Sequence, residues 1–258
     1  AYSLTMLAGS FILQGQFTEA RSHALAAVQA YEEMGLRHAY SAMAQGWLGL
    51  IEFLTGDYEK ARLEIQSTLA MAQETNWKRG AGACSLFLGC ISLVEGTPER
   101  ALKLLEESAS SSQAIKQVDD YAWARSVMGY AECALGRTGQ AREHLLEALH
   151  LGSELEAVIP LAFALPGIAS LWVSCGHAER AVELYALALS MPIVSNGRWF
   201  EDAAGRHIVA AAATLPPDTV AAAQARGRAR DLKSTIAELL VELREEETPP
   251  SATFFSGS

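Results

Sequence analysis

Cysteine is scarce and scattered: four in 258 residues, Cys84, Cys90, Cys133 and Cys175, with no CxxC among them. Their separations of 6, 43 and 42 residues match neither a zinc knuckle nor a dense disulfide framework, so reduced thiols and a cytoplasmic location are expected. Proline is nearly as rare, at 8. No apolar run reaches the roughly 18 to 20 residues that crossing a bilayer demands. The densest, Val158 to Val173, is interrupted by Pro160, Pro166 and Gly167. Positive charge is short as well, with 20 basic residues against 30 acidic for a net charge of −10. That argues against a nucleic-acid partner, because phosphate binding needs a basic surface. No charged segment precedes an apolar one at the start. The chain opens at Ala1 inside what already reads as a helix, and so reads as a piece of something longer.

Catalytic signatures are missing too. There is no GxxxxGK[ST], GxSxG or HExxH. The run Gly80-Ala81-Gly82-Ala83 lacks the Lys-Ser/Thr that would hold a phosphate, and close helix packing explains it better. The histidines are dispersed; His144 and His150 lie about 240° apart round a helix and cannot share a metal. Asp119-Asp120 precedes a helix, where negative charge favours the helix dipole. Arg226, Arg228 and Arg230 form the one basic cluster, best suited to a surface or interhelix role. No enzyme, metal or cofactor is expected.

What the chain does have is alanine, 45 residues of it, and a repeat. Gly15, Gly56, Gly96, Gly136 and Gly176 fall at intervals of 41, 40, 40 and 40 residues. Five residues after each stands an alanine: Ala20, Ala61, Ala101, Ala141 and Ala181. Seven before each stands a small residue, Ala8, Gly49, Gly89, Gly129 or Ala169, itself preceded by a larger apolar one. The recurrent glycine ends a helix at positive φ, and the small residues let the two helices flanking that turn approach closely. Thr97-Pro98 and Asp57 mark helix starts. Second helices should stop near Gly35, Asn76, Lys116, Glu156 and Asn196. The chain is therefore expected to be all-α: five antiparallel helix pairs at about 1–35, 36–76, 77–116, 117–156 and 157–196, sharing one continuous core. After Asn196 the regularity decays. Trp199 to Ala213 reads as the first helix of a degenerate sixth unit, its partner is broken at Gly227, and 197–247 forms a capping module. Residues 248–258, with Pro249-Pro250, Phe254 and Phe255, read as a disordered tail.

The order apolar-small, then glycine, then alanine five later, as in Leu48-Gly49 to Gly56-Asp57-Tyr58-Glu59-Lys60-Ala61, resembles the tetratricopeptide repeat over roughly residues 1 to 196. The period exceeds the usual 34 residues by 6, and the usual proline near the end of the second helix is missing. This long variety resembles the C-terminal arrays of large ATP-dependent (STAND-type) signalling proteins and transcriptional activators. The resemblance implies a right-handed superhelical solenoid whose first helices line a concave face. Positions three and six before each glycine, with one near the helix start, would point into it. Carried over, these include Tyr2, Leu50, Phe53, Cys90, Leu93, Trp123, Tyr130, Phe163 and Ser170, an apolar and aromatic set. The Lys/Asn clamp that grips peptide carboxylates in some arrays is absent. The resemblance thus implies a non-catalytic scaffold for a protein, a peptide or a neighbouring domain of the same full-length chain. Alternatively, a small-molecule inducer enters the superhelix and controls an attached ATPase. A tightly wound superhelix also buries much of its inner face, so Phe53, Trp123 and Tyr130 suit a core role equally well.

Overall fold

The computed structural model describes residues 1–245; the expected tail, 248–258, lies outside the described residues. Among these the chain is all helical. Five pairs follow one another: α1 (Tyr2–Leu13) with α2 (Phe17–Glu33), α3 (Ala39–Thr55) with α4 (Tyr58–Glu74), α5 (Lys78–Val94) with α6 (Pro98–Ala114), α7 (Val118–Ala134) with α8 (Thr138–Glu154), and α9 (Val158–Ser174) with α10 (Ala178–Ala188). Eight consecutive helices, α2 to α9, are each 17 residues long.

That regularity comes from a repeated stop. Gly15, Gly56, Gly96, Gly136 and Gly176 all have φ between 67° and 90°. At Gly56 the amide donates to the Phe53 carbonyl and the next amide, of Asp57, to Glu52, a Schellman closure that satisfies carbonyls the helix end would orphan. Second helices close the same way at Gly35, Asn76, Lys116 and Glu156, all at positive φ. The fifth stop departs from expectation. Helix α10 ends at Ala188, well before Asn196, because Met191 is extended (φ −84°, ψ 118°) ahead of Pro192, which disfavours helix at the preceding residue and lacks an amide donor. Starts vary more. The Asp57 carboxylate accepts the Lys60 amide at 3.2 Å, and His38 with Ser41 forms a capping box. Thr97 does not cap; its hydroxyl donates to the Ser92 carbonyl instead.

At each pair crossing the small residue sits against one large partner. A Cβ on Gly49 would lie 2.9 Å from Ile65, one on Gly89 2.9 Å from Leu105, and one on Gly129 closer still to Leu145. The alanines five past each turn glycine are all fully buried. In the Gly80–Ala83 run, Gly80 lies under the Trp77 ring and Gly82 against Ser111, which is close packing. First helices pack on one another in series, α1 on α3, α3 on α5, α5 on α7 and α7 on α9, and the second helices do not match this layer of contacts. The stack therefore curves with its first helices inside.

The expected sixth unit takes another course. Beyond α11 (Pro192–Asn196), α12 (Arg198–Phe200) runs through a π-helical turn, Glu201–Gly205, into α13 (Arg206–Ala212). Helix α13 packs on α9 and α10, as a sixth first helix would, but α11 touches α1 and α12 touches α3. The segment has turned back into the curve of the stack. Helix α14 (Pro217–Ala229) passes through Gly227 unbroken, because the missing Cβ lets it close on the Glu183 backbone of α10. Arg226 pairs with Glu179 and Glu183, and Arg230 with Glu183 and Glu238, so the basic cluster clamps α14 and α15 (Leu232–Glu245) to the stack.

Candidate functional site

The concave face is filled by the chain itself. Trp199, fully buried, packs its ring against Phe53, Tyr130, Phe163 and Phe200 at centroid distances of 4.9 to 5.5 Å. Its indole nitrogen donates to the Cys90 carbonyl oxygen at 3.0 Å. Phe200 also packs on Phe163, with the rings tilted and their centroids 4.7 Å apart. Two anchors hold this plug along its length. Near α11, Asn196 donates to the Gly15 carbonyl, while Gly15 and Gly56 give room to Pro192 and Arg198. In the π turn, the Asp202 carboxylate accepts the Tyr58 hydroxyl at 2.7 Å and pairs with Arg198 and Arg206. Burial, then the hydrogen bond to Asp202, pushes the Tyr58 hydroxyl well above its ordinary range.

The plug splits the inner face, and the nine residues expected to line it fall into four places. Phe53, Cys90 and Phe163 lie beneath Trp199 with no exposed surface. Burial pushes the Cys90 thiol well up, which makes it an inert core cysteine. Leu93, Tyr130 and Ser170 line a cavity of about 480 Å³ on one side, shared with Cys133, Asp202 and His207. There Tyr130 donates to the Phe163 carbonyl at 2.7 Å and Ser170 to Pro166. Leu50 and Trp123 line the other cavity, of about 530 Å³. Tyr2 stands apart, 53% exposed and edge-on to Tyr40.

The larger cavity is built from both ends of the stack. Met6 and Ile12 of α1 and Ile159 and Pro160 of α9 wall its sides, with Trp47, Leu50 and Trp123 between them. Charge is confined to Arg79, Asp119, Asp120 and Glu156. Arg79 engages Asp120 through two hydrogen bonds, at 2.6 and 3.0 Å, and Asp119 through one at 2.9 Å. The Asp120 hydrogen bond holds Arg79 above its ordinary value, and burial pushes the Asp120 carboxyl up against the pull of Arg79. Trp123 is 9% exposed, and its indole N–H meets no acceptor, nor does that of Trp47. Unsatisfied buried donors cost about 1–3 kcal/mol each.

Sequence reasoning missed the plug and the charged rim. A signal for the plug exists: Trp199 and Phe200 sit together just where the 40-residue register fails. Among the described residues no group of three or more His, Cys, Asp or Glu is placed to hold a metal ion, and no helix is long and apolar enough to cross a membrane. The architecture, an all-helical repeat, is typical of non-catalytic scaffolds. No known family model matches the chain, and no curated protein matches it.

Proposed function

We propose that this chain is a non-catalytic recognition module, the sensor or interaction region of a larger cytoplasmic signalling or transcription regulator, and that a small molecule fills the cavity between α1, α3, α7 and α9. The resemblance of its repeat to tetratricopeptide arrays of ATP-dependent regulators supports the regulatory setting. One observation carries the choice of ligand. With Trp199 and Phe200 occupying the middle of the concave face, no open groove runs along it for a peptide. What remains is an apolar cavity of about 530 Å³, inside the range that small molecules occupy. A thermal-shift screen tests this, since a ligand at 100 times its dissociation constant adds about 2.7 kcal/mol. Ser10→Trp, at an exposed position lining the cavity, should abolish any hit. Hits that survive this substitution, or a broad screen without any, reject the reading.

A protein partner or neighbouring domain is the second reading, and it rests on a different surface. Between α10, α13 and α14 lies a groove of about 400 Å³ lined by Leu189, Ile208, Val209 and Ala212. Val209 is 61% and Leu189 41% exposed there, the kind of apolar patch that partners cover. Val209→Asp should cost a partner its grip and leave thermal stability unchanged.

A further inference from the structure

The larger cavity also specifies a ligand charge. We propose that it takes an amphipathic organic cation, an apolar or aromatic body bearing an ammonium group at the rim; this rests on reading the cavity as a ligand site. Three carboxylates, Asp119, Asp120 and Glu156, and one guanidinium, Arg79, line the cavity. Asp120 takes Nε and Nη2 of the guanidinium, so the charge of Arg79 is offset within the protein. Asp119 is held by a single contact with its side chain 47% exposed, and Glu156 is exposed on the same rim. An entering anion would meet this excess negative charge, whereas an ammonium group would be drawn to it. Low-dielectric walls concentrate such a field, and tryptophan faces attract cations independently of it.

The walls select the rest of the molecule. Trp47, Leu50 and Trp123 offer apolar and aromatic surface. Trp123 is nearly buried among them, and its ring also packs against Phe87 and Phe163.

Three matched probes decide the matter: 4-methoxyphenethylamine, 4-methoxyphenethyl alcohol and 4-methoxyphenylpropionate, titrated calorimetrically into the full chain. The amine is expected to bind at least tenfold more tightly than the alcohol, with the carboxylate weakest. The Asp119→Asn/Glu156→Gln double variant, at one half-buried and one exposed position, should erase that preference while the chain stays folded, with at most a small drop in melting temperature from the lost Arg79–Asp119 pair. Ser10→Trp should eliminate binding. If the alcohol or carboxylate binds as tightly as the amine and Ser10→Trp blocks it, the charge assignment is overturned while the cavity reading stands. Amine binding that Ser10→Trp leaves intact overturns both. Failure of all three probes up to millimolar concentration overturns the cation assignment, and the broad screen then judges the cavity.

Discussion

The indole nitrogen of Trp199 donates to the backbone oxygen of Cys90, 109 residues earlier in the chain, at 3.0 Å. This bond joins the segment after the fifth helix pair to the middle of the third, and it closes the centre of the stack's concave face. Trp199→Ala should cost about 3–5 kcal/mol in urea unfolding, the usual range for emptying a buried tryptophan site. Trp199→Phe keeps the stacking but loses the hydrogen bond and some volume, and should cost about half as much. A cost below about 1 kcal/mol for the alanine variant would mean that the plug is not part of the core.

The π turn is held by Tyr58, whose hydroxyl lies 2.7 Å from Asp202. Tyr58→Phe should cost about 1–2 kcal/mol, at the lower end for a hydrogen bond to a charged group, because Arg198 and Arg206 still pair with Asp202. The loss should be local. Hydrogen exchange is expected to quicken over Glu201–Gly205 and to stay unchanged in α5 to α8; uniform quickening would contradict the anchor.

The crossing glycines rank themselves. Gly49→Ala and Gly89→Ala place a Cβ 2.9 Å from Ile65 and Leu105, and the gain in helix propensity of about 1 kcal/mol should offset most of the overlap, leaving a net cost below about 1 kcal/mol. Gly129→Ala meets Leu145 more closely, and Leu145, buried like Ile65 and Leu105, has less room to retreat because it is also pressed against Gly167 on its other side. Its net cost should be about 1–2 kcal/mol, within the overpacking range. Equal melting temperatures for Gly89→Ala and Gly129→Ala would refute the ranking.

What could be read from the chain follows the distinction between local and distant constraints. The turn glycines and crossing residues act within a single helix pair: positive φ at Gly56 and contact of Gly49 with Ile65 each involve residues close in sequence. They are imposed five times over, so register exposes them. The inner-face positions Phe53, Cys90 and Phe163 were also legible as inward-facing, but not what lies on them. Trp199 comes from outside the repeat and reaches Phe53 across 146 positions, a pairing that no periodicity encodes. The rim was hidden for a related reason. Asp119-Asp120 reads as a favourable helix start, and only the stacking of α5 against α7 brings Arg79 to it.

Helix ends offer stabilising changes. Lys116 (φ 58°) and Glu156 (φ 49°) hold left-handed conformations that cost a side chain roughly 1–2 kcal/mol. Glycine removes that cost but adds unfolded-state entropy of about 0.5–1 kcal/mol. Lys116→Gly and Glu156→Gly should therefore each gain about 0.5–1 kcal/mol, read as a raised urea midpoint. Asn76→Gly should gain less, because asparagine tolerates this region.

Stability should also fall with acid through His144. Burial, then the nearby charge of Arg125, pulls its pKa down from the ordinary 6.5 to about 4, and its Nδ1 is buried without a hydrogen-bond partner. A histidine depressed in the folded state binds fewer protons there than when unfolded. Its contribution is full above about pH 6.5 and drains away as pH falls towards 4. The imidazole is partly solvated, so screening reduces the effect to about 1–2 kcal/mol across that window. His144→Gln removes the titration. Between pH 6.5 and 4 the variant should lose stability less steeply than the parent chain, with the carboxylates contributing equally to both. Parallel stability curves for the two proteins over that range would show that His144 does not carry the dependence.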